Sequence, residues 1–241
     1  MRNQISANKP MAYVEPSEVA YSIAQGLDKE IRGLKPTSHR FLDRFAENGM
    51  TRDQLRYFCP QWYKTIRAHK HAFPGLVYTT PDELLRGDLL TILFDENGNG
   101  DPDKMHTRLF LKVPEAIGMT REEIEGTPVI DPVSNFGEFV RSTWLDEKRP
   151  EKSYGVVYVF ENIGADFHGM FLEGLRKSKL PKDALEYSEL HAVAEKEHAE
   201  RVVNGLRFYE GDVPGLVEGV KEGSLALSKL WDGFESHVFS R

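Results

Sequence analysis

The sequence predicts an all-α fold, and three observations predict it. Thr51 with Gln54, Thr80 with Pro81 and Glu83, Thr120 with Glu123, and Asp131 with Pro132 each read as a helix N-cap followed by a capping-box partner or a first-turn proline. Strand signals are scarce by comparison. The apolar run from Val156 through Gly164, Gly169 and Gly174 lacks turn punctuation, which suits a central helix closely approached by its neighbours.

Helices are expected over residues 16–33, 37–47, 51–70, 81–95, 103–117, 132–146, 152–177, 182–210 and 214–238, each end placed to about two to four residues. The third opens at the Thr51 capping box and the fourth behind Thr80 and Pro81. The fifth follows Asn97-Gly98-Asn99-Gly100-Asp101-Pro102, and the sixth follows Asp131 and Pro132. The seventh contains Val156-Val157-Tyr158-Val159-Phe160, which alone passes for a buried strand but whose flanks favour helix. The last helix follows the turn Gly211-Asp212-Val213-Pro214. The first ten residues show no apolar period and are expected to be disordered. No internal repeat or low-complexity segment divides the chain, so residues 1–241 are expected to form one domain.

The 241 residues are 40% hydrophobic, enough for an ordinary globular core, and carry a formal charge of −7. With no long Lys/Arg run, that charge argues against nucleic acid or anionic membrane as the main partner and for a small molecule. No apolar run reaches about 18 residues. The start MRNQISANKP lacks the apolar core of a secretory signal, so a cytoplasmic location is expected. Homodimerisation is compatible with the charge pattern, which does not specify it. Cys59 is the only cysteine, which rules out an internal disulfide, a zinc ribbon or an iron–sulfur cluster built within the chain. Its Tyr-Phe-Cys-Pro context reads as packing.

The chemistry lies in Glu96, His106, Glu161, His191, Glu195 and His198, three carboxylates and three imidazoles. Such a donor set suits two iron or manganese ions better than structural zinc. His191, Glu195 and His198 fall at i, i+4 and i+7 and share one helical face. Glu161 sits between Phe160 and Ile163, where an unpaired carboxylate is costly and a cation would relieve it. Glu96 and His106 are ten residues apart, and ten steps of about 100° do not return to one face. The intervening glycines and proline supply the loop that would let the two converge. His168, seven residues after Glu161, shares its face and is a candidate for a position behind the ligands or as a spare ligand. His39 reads as a capping or core histidine; His69, His71 and His237 read as solvated or structural.

Two neighbouring site classes are disfavoured. A ferritin-like centre needs two Glu-x-x-His pairs, and only Glu195 with His198 qualifies. A zinc hydrolase needs His-Glu-x-x-His, which the chain lacks.

With these residues the chain resembles the haem-oxygenase-like di-metal oxidases, relatives of the thiaminase-like and pyrroloquinoline-quinone-synthase-like helical proteins. The likeness covers most of the chain. Met50-Thr51-Arg52-Asp53-Gln54-Leu55, Trp62-Tyr63 and Ala72-Phe73-Pro74 are similar to the family's second-helix region. Phe94-Asp95-Glu96-Asn97-Gly98 with His106 looks like its first ligand pair, and Glu161 with the His191 triplet looks like the rest. The resemblance implies a haem-oxygenase-like helical bundle of about seven to nine helices, two Fe(II) ions and no haem, with O2 as cosubstrate. It implies N-oxygenation, oxidative C–C cleavage, fatty-acid decarboxylation or aminobenzoate formation.

Departures narrow this list. The family's triplet usually has Asp where this chain has Glu195. The Glu96 to His106 spacing is longer than in the aminobenzoate-forming members, and their sacrificial tyrosine and lysine align with Leu42 and Phe171, which disfavours that branch. No histidine in residues 16–33 offers a proximal haem ligand, which disfavours haem oxygenase itself. The expectation is a di-iron oxidase or oxygenase acting on a small amino acid or amine in a biosynthetic pathway. The alternatives are a fatty-acid decarboxylase, which would need a long apolar tunnel, and a metal-free helical binding protein. Trp62, Tyr63, Arg67 and Tyr158 are the candidate pocket residues, with Arg67, Lys70 and His71 as partners for a substrate carboxylate near Phe73.

Overall fold

Local chemistry sets most of the helix boundaries. In the computed structural model, which describes residues 16–239, the order is α1 (Glu18–Leu34), α2 (Arg40–Asn48), α3 (Arg52–Thr79), α4 (Glu83–Glu96), α5 (His106–Ala116), α6 (Arg121–Gly126), α7 (Asp131–Trp144), α8 (Pro150–Lys177), α9 (Glu186–Gly205) and α10 (Val213–Phe239). There is no strand among the described residues. The first ten residues, expected to be disordered, lie outside them. Thr51 and Thr120 each form a reciprocal capping box, with Gln54 and Glu123. His39 caps α2, its Nδ1 accepting from the Phe41 amide at 3.1 Å.

Several boundaries differ from expectation. The Thr120 box opens a helix of its own, α6, an addition to the nine segments expected. The cap of α4 is Asp82 rather than Thr80, whose hydroxyl instead donates to Leu76 O. Asp131 is the first residue of α7 rather than its cap. α3 continues to Thr79 through Pro60 and Pro74. A proline inside a helix costs about 3 kcal/mol, and burial of Phe73, Leu76 and Thr79 beyond residue 70 offsets it. Residues 182–210 are not one helix: α9 is flanked by 3-10 turns at Lys182–Leu185 and Leu206–Asp212.

Val156-Val157-Tyr158-Val159-Phe160 is helical, fully enclosed within α8. Gly155 lets α10 lie directly against it: a Cβ there would fall 2.2 Å from Leu216 O. Beside α8, rings from α2, α3 and α10 build an aromatic core, with Phe41 stacked on Trp231 at 5.9 Å and Trp62 edge-on to Phe171 at 4.9 Å. Cys59 is buried in this core, as its context predicts, and burial pushes its thiol far above the ordinary range.

α8 and α9 pack side by side with a register that sets the site. Glu161 lies beside His198, Gly164 beside Glu195 and His168 beside His191, the ascending order on one helix meeting the descending order on the other. The end of α4 and the start of α5 close one flank of this pair with Glu96 and His106.

Candidate metal centre and adjoining cavity

Six side chains from four helices meet in the interior. His106, Glu161, His191, Glu195 and His198 are each no more than 7% exposed, and the Glu96 side chain is 12% exposed. Glu96 and His106 converge because the chain between them turns back on itself through two 3-10 turns, Gly98–Gly100 and Pro102–Lys104. Gly98 has φ +76°, and a Cβ there would fall 2.7 Å from the Lys104 carbonyl carbon and the Met105 nitrogen, so no larger residue fits.

The donor atoms form two overlapping groups. In the first, His106 Nδ1 is 2.9 Å from Glu96 Oε1 and 3.1 Å from His191 Nε2, which is 3.8 Å from the same Glu96 oxygen. In the second, His198 Nδ1 is 3.3 Å from Glu161 Oε2 and 3.8 Å from Glu195 Oε2. Donor atoms of Glu96, Glu195 and His198 also lie within 4.8 Å of one another, which ties the groups together. Atoms bound to a common ion at about 2.0–2.2 Å stand about 3 Å apart when adjacent, and these spacings match.

Electrostatics argue the same fit. Buried His198 Nδ1 faces Glu161 without hydrogen-bond alignment, an unsatisfied position that a cation between them would fill. Burial, followed by the charge of Glu161, pushes the Glu195 carboxyl well above its ordinary range. For Glu161 burial is outweighed by the His198 contact, which holds its carboxyl low. For Glu96 burial is likewise outweighed, by the hydrogen bond and charge of His106. Burial pushes the His191 imidazole down to about 4, keeping it a neutral donor. For His198 burial acts in the same direction, but Asp95 and Glu161 outweigh it and push the imidazole up to about 11.

Two supports are absent from the sequence reading. The far nitrogen of His198, Nε2, donates to Asp95 Oδ2 at 3.0 Å, and His191 Nδ1 donates to the Tyr187 carbonyl at 2.8 Å. Metal-binding histidines are oriented in this way. The available signal for Asp95 was its place beside Glu96; the Tyr187 carbonyl, four residues before His191, follows from helix geometry alone.

A cavity of about 90 Å³ adjoins the cluster, bounded by Trp62, Thr65, Ile66, His69, Lys70, Phe136, Phe160, Phe167, His168, Tyr187, Leu227 and Leu230 together with Glu96, Glu161, His191 and Glu195. Of the four candidate pocket residues only Trp62 lines it. Trp62, Thr65, Ile66 and His69 fall at i, i+3, i+4 and i+7 on α3, and Tyr63 and Arg67 are rotated about 110° and about 150° from the centre of that face. They lie instead in a surface depression with His71, where the Tyr63 hydroxyl accepts from Arg121 Nη2 at 2.6 Å and Arg67 lies over the Tyr63 ring. Tyr158 points away to α1 and donates to Asp28 Oδ1 at 2.8 Å. His69, expected to be solvated or structural, is on the cavity wall with its ring 4.9 Å from Trp144. Lys70 borders both spaces and donates to the Glu96 backbone carbonyl; burial lowers its ammonium below the ordinary range.

A family model described as iron-containing redox enzyme matches residues 56–232. The chain belongs to this haem-oxygenase-like family. As a member of the iron-containing redox enzymes it is an oxidoreductase. It is 23% identical over 216 residues to 4-chloro-allylglycine synthase of Streptantibioticus cattleyicolor, covering 88% of this chain and 82% of that protein. It is 22% identical over 187 residues to 4-aminobenzoate synthase of Nitrosomonas europaea, covering 73% and 74%. A solved domain from Shewanella denitrificans, described as having a haem-oxygenase-like fold, superposes with a TM-score of 0.65 at 16% identity, covering 95% of this chain and 96% of that one. The all-α haem-oxygenase-like bundle expected from the sequence is thus the fold of this family member. No helix among the described residues is long and apolar enough to cross a membrane.

Proposed function

We propose that this protein is an O2-using non-haem di-iron oxidase or oxygenase acting on a small amino acid or amine in biosynthesis. The observation that carries it is the convergence of Glu96, His106, Glu161, His191, Glu195 and His198 in two donor groups beside a cavity of about 90 Å³. Glu96, His106 and His191 would hold one ion, and Glu161, Glu195 and His198 the other, with Glu96 and Glu195 near both groups. When bound, a ferrous pair supplies the electrons for reducing O2 and the oxidising power for the substrate.

The chain's residues do the rest. Asp95 and the Tyr187 carbonyl orient His198 and His191. Trp62, Phe136, Phe160, Phe167 and Leu227 exclude water and confine a compact substrate, while Lys70 offers a donor to a polar end and the Thr65 hydroxyl, which donates to the Gln61 carbonyl, offers an acceptor. A compact cavity favours a small amino acid or amine over a long acyl chain. The names of the two relatives point the same way, each denoting a product with an amino group and a carboxylate. Against aminobenzoate formation, leucine and phenylalanine, at 42 and 171, stand at the places matched to that branch's tyrosine and lysine.

The test is an anaerobic Fe(II) titration of metal-stripped protein with iron counted per chain, followed by O2 exposure under optical monitoring with amino acids, amines and fatty acids as triggers. Two irons and an O2-dependent change accelerated by a small amine or amino acid are expected. Failure to take up iron overturns the reading.

A further inference from the structure

We propose that His168 is a seventh ligand of the centre, an imidazole donor to the ion position faced by His191 and Glu195. The proposal rests on the di-iron reading above and concerns a residue that the six-donor set omits.

Register is the first argument. On α8, Glu161, Gly164 and His168 fall at i, i+3 and i+7 and form one face. That face meets His198, Glu195 and His191 of α9 in reverse order. The Glu195 carboxylate lies across Gly164, with Glu161 one step to one side and His168 one step to the other. Glu161 faces one end of the α9 triplet and His168 faces the other.

Distance is the second. One donor atom each of His168, His191 and Glu195 lies within 4.8 Å of the others, and the His168 and His191 ring centroids are 4.4 Å apart. This group shares His191 with the Glu96–His106 group and Glu195 with the His198 group. His168 therefore stands where the two groups join, on the side lined by the cavity.

His168 also carries an unmet polar atom. His168 is 3% exposed, and its Nδ1 is enclosed without a hydrogen-bond partner. A histidine kept only for packing leaves that nitrogen desolvated with nothing in return, a position a phenylalanine would fill at less cost. The rings of Trp62, Phe167 and Tyr187 fix the imidazole in place, which is what a ligand needs and a mobile proton carrier does not.

Anaerobic Fe(II) titration of the full chain and its His168→Ala and His168→Phe variants tests this, together with visible absorption of the Co(II)-substituted proteins. His168→Phe keeps the ring and removes the nitrogens, so it separates packing from ligation, and near-UV circular dichroism verifies its fold. Both variants should hold one ion at least about tenfold more weakly than the parent, leave the other ion unchanged and shift the Co(II) ligand-field bands. A His168→Phe variant that holds both ions with parental affinity and unshifted bands overturns the proposal and leaves the di-iron reading standing. A parent chain that takes up no iron overturns both.

Discussion

Gly164 and Glu195 occupy one another's space: a methyl group on Gly164 would fall 2.7 Å from Glu195 Cδ and 2.8 Å from its Oε2. The absence of a side chain on α8 is what lets the longer glutamate reach between the candidate ligand faces of α8 and α9. Gly164→Ala should therefore act on the site more than on the fold. The clash is with the far end of a flexible side chain, and alanine is favoured over glycine within a helix by about 1 kcal/mol. The melting temperature of the metal-free protein should hold or rise, while Fe(II) affinity falls at least about tenfold. Parallel thermal melts and Fe(II) titrations check this; a stable variant with unchanged affinity would remove Glu195 from the donor set.

Asp95 gives the second prediction. Its carboxylate accepts from His198 Nε2 and so presents Nδ1 to Glu161 and Glu195. Asp95→Asn keeps the shape but loses the charge and offers an amide that can face the imidazole with a donor. Fe(II) affinity should fall about 10–100-fold, with helix content by circular dichroism unchanged.

The six side chains that converge were legible as candidates in the sequence because each carries a local signal. His191, Glu195 and His198 have helical spacing, Glu161 is a carboxylate in an apolar run, and the glycine-rich stretch after Glu96 announces the turn back to His106. The capping boxes at Thr51 and Thr120 were legible for the same reason. Partners chosen by packing between distant segments were not. No local pattern specifies that His168 stands opposite His191, or which face of α3 borders the cavity; hence of the four candidate pocket residues Trp62 borders it and Tyr63, Arg67 and Tyr158 do not. The continuation of α3 past Pro74 was likewise hidden, since tertiary burial rather than propensity sustains it.

Protons and metal compete for this centre. In the metal-free fold the Glu195 carboxyl is raised well above 4.5 and the His198 imidazole is raised from 6.5 to about 11. A raised group stabilises the fold fully below its unfolded value and loses that contribution as pH rises through its folded value. The lowered carboxyls of Asp95, Glu96 and Glu161 act oppositely, losing their contribution as pH falls below the ordinary carboxyl range. Below about pH 7 the lowered imidazoles of His69, His168 and His191 also oppose Glu195 and His198, since the unfolded chain still protonates them. Above about pH 7, where ordinary carboxyls and imidazoles have already lost their protons, Glu195 and His198 govern the slope. Metal-free stability should fall with rising pH while Fe(II) affinity grows about tenfold per pH unit for each proton displaced. Titrations and melts at about pH 7, 8 and 9 test both signs. A pH-independent affinity would mean that the ion does not displace these protons.

The cavity can be separated from the metal donors through α10. Leu227 is 4% exposed and lines the cavity, whereas the six donors come from α4, α5, α8 and α9. Leu227→Trp should drive an indole into the space beside Trp62 and Phe136. Overpacking of this kind costs about 1–3 kcal/mol, so the melting temperature should drop while the protein stays folded. Two Fe(II) ions per chain should still bind, because no donor moves. Substrate-triggered O2 consumption should fall at least tenfold, since a pocket that buries most of a small ligand loses affinity steeply when a wall advances into it. Full turnover with an intact iron count would mean that the substrate reaches the ions from another side, and the surface depression lined by Arg67, Lys70 and His71 would then be the place to test.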